Sequence, residues 1–200
     1  FPIGIPKTDE TRVQVLGGLL HACRGQRFVM TEKLDGSSFT AFVRGDDFGV
    51  LHPADMTHAF CALAAEMGIE RRMREMQKAI GDFAIQGEVI GPGIQKNKYA
   101  LTKHCLHVFD VYRIGLADYA SPADGMGIVM SMGLAPVPDL GAFALAHSID
   151  EVVAMAEGKS VLNPKIEREG IVLRPETPMK DDCGNRVSFK AINPKFLLKF

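Results

Sequence analysis

Between Arg27 and Leu51 apolar and polar residues alternate through two short breaks, and this alternation restricts the fold more than any other feature. Residues 27–34, with Phe28, Met30 and Glu32 on one side, read as a strand that breaks at Asp35-Gly36. A second strand, 38–44, returns through a Gly45-Asp46-Asp47 turn to Phe48–Leu51, which predicts a β-hairpin. Further strands are expected at Phe83–Ile90 and Leu106–Val111, with Gly91-Pro92-Gly93 between them, and at Gly170–Arg174 and Arg186–Ile192. Strands often follow one another with no helix between, which favours antiparallel pairing over a doubly wound sheet. The expected class is mixed α+β.

Helices fill the intervals. Val13, Leu16, Leu19 and Leu20 recur at helical spacing and stop near Gly25. Residues 55–80 predict helix with a break at Gly68, burying Ala59, Leu63, Met67, Met73, Met76 and Ile80. Ser121-Pro122 supplies a capping hydroxyl and a proline at the first helical position, and Gly133 can end that helix. Ser148-Ile149-Asp150-Glu151 is a capping box for another, ending at Gly158. No linker divides the chain, so residues 1–200 are taken as one domain.

Composition sets limits on function. A formal net charge of −1 gives no general attraction to nucleic acid, so any such attraction must be local. Two stretches qualify: Lys96, Lys98 and Lys103 with no acid among them, and Arg186, Lys190, Lys195 and Lys199. Cys23, Cys61, Cys105 and Cys183 form no CxxC pair and suit a reduced, cytoplasmic protein better than a disulfide or zinc scaffold. No apolar run reaches the roughly 18 residues of a membrane span. The methionines read as core filling, and His104 and His107 as structural. The glycines at 17 and 18 read as close helix packing.

The densest chemistry is Glu32-Lys33-Leu34-Asp35-Gly36-Ser37-Ser38. On a strand Lys33 and Asp35 share a face, placing an amine and a carboxylate in one pocket. Gly36 permits a sharp turn and leaves room for a ligand. A nucleophilic amine must be neutral, and neighbouring cations or burial favour that form. A K-x-D-G string alone arises by chance in roughly one chain in twenty of this length. Three more clusters strengthen it: Glu88 before a glycine-rich bend, Glu169 at the head of an apolar strand, and Lys190 inside another. Charges in apolar strands are costly unless paired or facing a cleft. Two lysines and several carboxylates on separate strands suit a triphosphate with a divalent metal.

The order EKLDGSS, QGEVIGPGIQKNKY, HVFDVY, REGIVLRP, SFKAINPKFLLK resembles the covalent nucleotidyltransferases, specifically the ATP-dependent RNA ligases: the nick-sealing bacteriophage type, the trypanosome RNA-editing ligases and the Deinococcus RNA ligase. The likeness runs from about Pro6 to Phe200. It implies an ATP-grasp-like ligase adenylation fold with largely antiparallel sheets flanked by helices. It also implies ATP, Mg²⁺ or Mn²⁺, and RNA ends or a nicked duplex as partners of a monomeric enzyme. Lys33 would form lysyl-AMP, Glu88 would hold the ribose hydroxyls and Phe109 would stack on adenine. Glu169, with Asp35, would support metal and phosphate, and Lys190 would contact the α-phosphate. Glu32 and Leu34 flank the nucleophile and are expected in the same nucleotide site. An accessory RNA-binding domain is expected to lie outside this chain, which starts at Phe1 and not at Met. The chain departs from the group's pattern at Leu51-His52-Pro53-Ala54, where an arginine is usual, and at Ile192, where a second lysine is. The rival expectations are a DNA ligase or capping-type guanylyltransferase, and a nucleotide- or nucleic-acid-binding relative without turnover.

Overall fold

A computed structural model of the chain describes residues 4–52 and 57–198. Along them run β1 (Thr11–Arg12), α1 (Gly17–Ala22), β2 (Arg27–Lys33), β3 (Ser37–Arg44), β4 (Asp47–Leu51), α2 (Thr57–Glu66), α3 (Ile69–Ile80), β5 (Phe83–Ile90), β6 (Cys105–Arg113) and β7 (Asp118–Tyr119). Then follow α4 (Pro122–Ser131), β8 (Ala135–Pro136), β9 (Asp139–Ala144), α5 (Ile149–Met155), β10 (Gly170–Pro175), β11 (Phe189–Ile192) and α6 (Pro194–Leu197). They form two compact units, one within residues 1–8 and 36–136, the other within 9–35 and 137–200. The chain passes between units at Thr8/Asp9, Asp35/Gly36 and Pro136/Val137, and no linker marks these crossings.

The first unit carries a sheet in the order β4-β3-β5-β6-β7, antiparallel throughout, with β8 added parallel to β6. The predicted hairpin is present: Arg44 pairs with Asp47, leaving a two-residue loop whose first position, Gly45, has φ +54°. One sheet face packs Phe39, Val43, Phe83, Ile85 and Val111 against Phe60, Leu63, Met73 and Val129 of α2, α3 and α4. The helix expected over 55–80 is split by Gly68 at φ +61°, as anticipated, and its first two positions lie outside the described residues. The opposite face carries fully buried Gln86, whose amide donates to the Pro6 carbonyl and accepts from the Tyr119 hydroxyl.

Gly36 also has a packing role. A Cβ there would sit 2.4 Å from the Val89 carbonyl and 2.7 Å from Glu88 Cγ. Close approach of β5 by itself requires glycine at this position.

The second unit holds a sheet in the order β1-β11-β10-β2-β9, antiparallel except where β1 runs parallel to β11. Phe28, Ile171, Leu173, Phe189 and Ala191 form its apolar face, packed with Leu20 of α1 and Val152 of α5. The Ser148 capping box forms as predicted, but α5 ends at Met155 rather than Gly158. The helix expected from Val13 onward is broken: a 3₁₀ turn over Val13–Val15 precedes α1. The strand expected from Arg186 begins only at Phe189, with an isolated bridge between Lys180 and Arg186.

Gly170 is where this sheet is tightest, since a Cβ would lie 2.2 Å from the Ala191 carbonyl. Backbone cannot yield as a flexible side chain would, so Gly170→Ala should destabilise the protein by about 1–3 kcal/mol, as overpacked substitutions do. Thermal denaturation checks this, with Gly18→Ala, which lies in α1 and meets nothing within 4 Å, as the comparison that should not destabilise.

Candidate active site

Strand register decides which charges meet in the second unit. Lys33 pairs with Gly170, while Val172 pairs with both Thr31 and Lys190. Side chains alternate along a strand, so Lys33, Val172 and Lys190 share the face opposite the apolar one. Glu169 immediately precedes Gly170, and its Oε1 lies 2.7 Å from Lys33 Nζ. On the neighbouring strand Lys190 Nζ lies 2.7 Å from Asp9 Oδ1. Lys33 and Lys190 are 25% and 17% exposed, and Asp9 is 89% exposed. Two half-sequestered ammonium groups therefore each rest on a carboxylate, the condition under which such charges are tolerated.

Glu169 is held from behind. Asn193, fully buried, donates its side-chain amide to the Arg168 carbonyl at 3.0 Å and its backbone N–H to the Glu169 carbonyl at 2.9 Å. The Arg168 guanidinium donates to the carbonyls of Met155, Ala156 and Glu157, anchoring the segment to the end of α5. Burial pushes the Glu169 carboxyl pKa up, against the opposing pull of Lys33. Its second oxygen, Oε2, is buried without a hydrogen-bond partner among the described residues. That open oxygen is suited to a hard cation.

The other residues singled out around Lys33 divide. β2 ends at Lys33, so strand alternation does not place Asp35 as expected. It nevertheless lies near enough for its charge to raise the Glu169 pKa. Leu34 is buried. Glu32 points to the opposite, covered face of β2, where its carboxylate accepts from the Val161 N–H at 2.8 Å. Its side chain thus ties the Lys33 strand to the segment leading towards Glu169.

Glu88 and Phe109 belong to the first unit. Glu88 sits on β5 with Ser38 and His107 as its cross-strand partners. Gln86 pairs with Asp110 but Gly87 pairs with Val108, which leaves Phe109 as the extra residue of a β-bulge. Bulges re-aim a side chain relative to the regular pleat. His107 and His104 bond the Pro136 and Pro92 carbonyls, in keeping with structural roles.

Two residues near Lys190 escaped the sequence reading. Asp9, whose pKa is lowered by its hydrogen bond from Lys190, lies in a short segment with no periodic signal. Arg12 is the register partner of Lys190 across the β1–β11 pair and lies on the same face. Ile192 is buried and supplies no charge there, whereas Arg12 brings a cation into register with Lys190. Pro53 and Ala54, where the other departure falls, and Lys199 lie outside the described residues.

Lys33 with a carboxylate against it, and Lys190 two strands away with β10 between them, sit in largely antiparallel sheets flanked by helices, the fold of the nucleotidyltransferase class. The sequence pattern of the RNA ligase family matches residues 26–192, and the chain belongs to that family. Among solved structures, a lysine-to-alanine variant of Naegleria gruberi RNA ligase with ATP and Mn is 32% identical, with a TM-score of 0.89. The same enzyme with pyrophosphate is 33% identical, with a TM-score of 0.88. Each comparison covers all of this chain and 59% of the Naegleria chain, so this sequence spans less than two thirds of those relatives. No curated protein sequence matches the chain. Among the described residues no helix is long and apolar enough to cross a membrane, and the four cysteines are unpaired.

The Asp9–Lys190 pair has a pH signature. Because the folded-state pKa of Asp9 is lowered, the pair contributes stability above the ordinary carboxylate range. That contribution is lost as pH falls through the lowered value. Asp9→Asn should therefore reduce the melting temperature slightly near neutrality and not at all at acid pH below that value. An equal reduction at both would refute the pair's contribution.

Proposed function

We propose that the chain, residues 1–200 taken together, is the adenylation domain of an ATP-dependent RNA ligase in which Lys33 captures AMP. The observation that carries this reading is the Lys33–Glu169 pair beside Lys190 on one sheet face. Lys33 Nζ attacks the α-phosphorus of ATP, a P–N bond forms, and pyrophosphate leaves with the electrons of the broken P–O bond. The amine must first lose a proton, and Glu169 Oε1 is its immediate hydrogen-bond acceptor. Lys190, with Arg12 beside it in register, neutralises charge developing on the phosphate oxygens. AMP then passes to an RNA 5′-phosphate, and a 3′-hydroxyl displaces it to seal the strand.

Glu88 and Phe109 are the residues of the first unit that the family resemblance assigns to ribose and adenine. The open Oε2 of Glu169, with Asp35, would hold a Mg²⁺ or Mn²⁺ ion. Among the described residues no cluster of three or more His, Cys, Asp and Glu side chains could cage an ion. This fits Mg²⁺, which binds through one or two carboxylates plus phosphates and keeps several waters. When bound, the ion would neutralise phosphate charge. The Naegleria structures with ATP, with AMP and Mn, and with pyrophosphate support the same reading.

The test uses ATP labelled at the α-phosphate with Mg²⁺, followed by a chase with nicked duplexes. Label should appear on the protein, move to RNA, and be outcompeted by ATP but not GTP. Lys33→Ala should abolish it, and Lys190→Ala should slow it by about 10²–10³, the usual cost of removing one oxyanion donor. Labelling by GTP would favour the capping reading. A preference for a DNA 3′-hydroxyl end would favour a DNA ligase.

A further inference from the structure

Asp9 and Glu10 are consecutive acids that hold two cations of one sheet face, and they hold them differently. Arg174 lies two residues beyond Val172 on β10, so it shares the face of Val172 and Lys190. Glu10 Oε1 lies 3.1 Å from the Arg174 guanidinium, with the two side chains 16% and 6% exposed. One residue earlier, Asp9 Oδ1 lies 2.7 Å from Lys190 Nζ, although the Asp9 side chain is 89% exposed.

The backbone beneath Asp9 is fixed. Glu10 is anchored by its pair with Arg174, and β1 follows at once, with Thr11 and Arg12 in register with Phe189 and Lys190. Asp9 therefore projects from an anchored segment, and a turn of its side chain into solvent releases Lys190 without moving the chain. An ion pair with so exposed a member is a weak one, because water screens the carboxylate. Lys190, mostly buried on β11, stays where it is and needs an anion there. The Asp9 carboxyl is held below its ordinary pKa first by the hydrogen bond from Lys190 and also by the charge of Lys33, so it lies within reach of both lysines' fields. An ammonium has three N–H donors, but two anions brought to one of them repel each other.

We infer that Asp9 is a built-in competitor for Lys190, an autoinhibitory contact that an incoming phosphate has to displace. The inference rests on the ligase reading for the identity of that phosphate, the α-phosphate of ATP. The exchange breaks no covalent bond: the carboxylate turns out as the phosphate oxygen arrives, and Lys190 is paired before and after. While Asp9 covers Lys190 the domain binds ATP less well, so the apparent affinity falls with the fraction of molecules in which the lysine is uncovered. Asp9 thereby sets the ATP concentration at which the domain loads, acting through Lys190 and not on the reacting atoms. The Glu10–Arg174 anchor keeps Asp9 close enough to take Lys190 back when the phosphate has gone.

The experiment treats wild type, Asp9→Asn, Asp9→Glu, Lys190→Ala and the Asp9→Asn/Lys190→Ala double variant with α-labelled ATP and Mg²⁺ over a series of ATP concentrations. Asp9→Asn should reach half-maximal labelling at roughly 1.5- to 5-fold less ATP, the range an exposed ion pair supplies, with the change falling on half-saturation rather than on the maximal rate. Asp9→Glu keeps the charge and should stay close to wild type. In the Lys190→Ala background Asp9→Asn should change nothing, because no ammonium remains to compete for. Half-saturation unchanged in Asp9→Asn would overturn the inference and leave the ligase reading standing. Half-saturation at higher ATP would overturn it too, and assign Asp9 to holding nucleotide or metal. An equal gain with and without Lys190 would also overturn it, as a general loss of negative charge. Should the wild type take no label, calorimetric ATP binding by the same five proteins decides. Tighter binding by Asp9→Asn that depends on Lys190 would then support the inference and sink the ligase reading, and equal binding by all five would overturn both.

Discussion

Lys33 and Lys190 lie on one face of a sheet with β10 between them, and the fold delivers a carboxylate to each ammonium group, the condition under which such charges are tolerated there. Glu169 reaches Lys33 from the strand on one side, and Asp9 reaches Lys190 from the segment just before β1. Both contacts follow from register. Gly170 opposite Lys33 sets Glu169 at the strand's mouth, and its missing Cβ lets the Ala191 carbonyl close in. A slip of one residue would turn Lys33 into the apolar layer that Ile171 and Leu173 line and carry Phe28 and Glu32 out to the other face. The fully buried Asn193 and the Arg168 fork hold the same geometry from behind.

That arrangement also orders the chemistry. In the proposed reaction the carboxylate against Lys33 would receive its proton. Its other oxygen is buried without a hydrogen-bond partner among the described residues. The exposed Asp9 makes a weaker hold on Lys190 than buried Glu169 makes on Lys33, since an exposed partner is screened by water. In the proposed reaction Lys190 would accordingly be the easier of the two to hand over to an incoming phosphate. The chain belongs to the RNA ligase family, and Ile192 stands where the family resemblance leads one to expect a second lysine. Arg12 brings a cation into register with Lys190 from a different strand.

Much of this was legible in the residues. The hairpin, the Ser148 capping box and the Gly68 break were readable because each rests on local backbone chemistry: a glycine at positive φ, or a serine with a glutamate three places on. Lys33, Glu169 and Lys190 were recognisable as charges set in or beside apolar strands. What escaped needed pairing information. Phe109 is aimed by a bulge that exists only in the β5–β6 register, and Asp35 lies beyond a strand end that alternation cannot locate. Asp9 and Arg12 sit in a two-residue strand and its approach, too short for any period. The division into two units was invisible because the chain crosses between them three times without a linker, once within the Lys33–Ser38 motif itself.

The account stands on a bond between Lys33 Nζ and the α-phosphorus of ATP. Peptide mapping by mass spectrometry, after exposure of the protein to ATP and Mg²⁺, tests it most directly. The expected result is an AMP adduct confined to the peptide containing Lys33, lost on mild acid treatment as a P–N bond is, and stable to base. Adenylation at another lysine, Lys190 included, or an unmodified protein under conditions where ATP is bound, would contradict it.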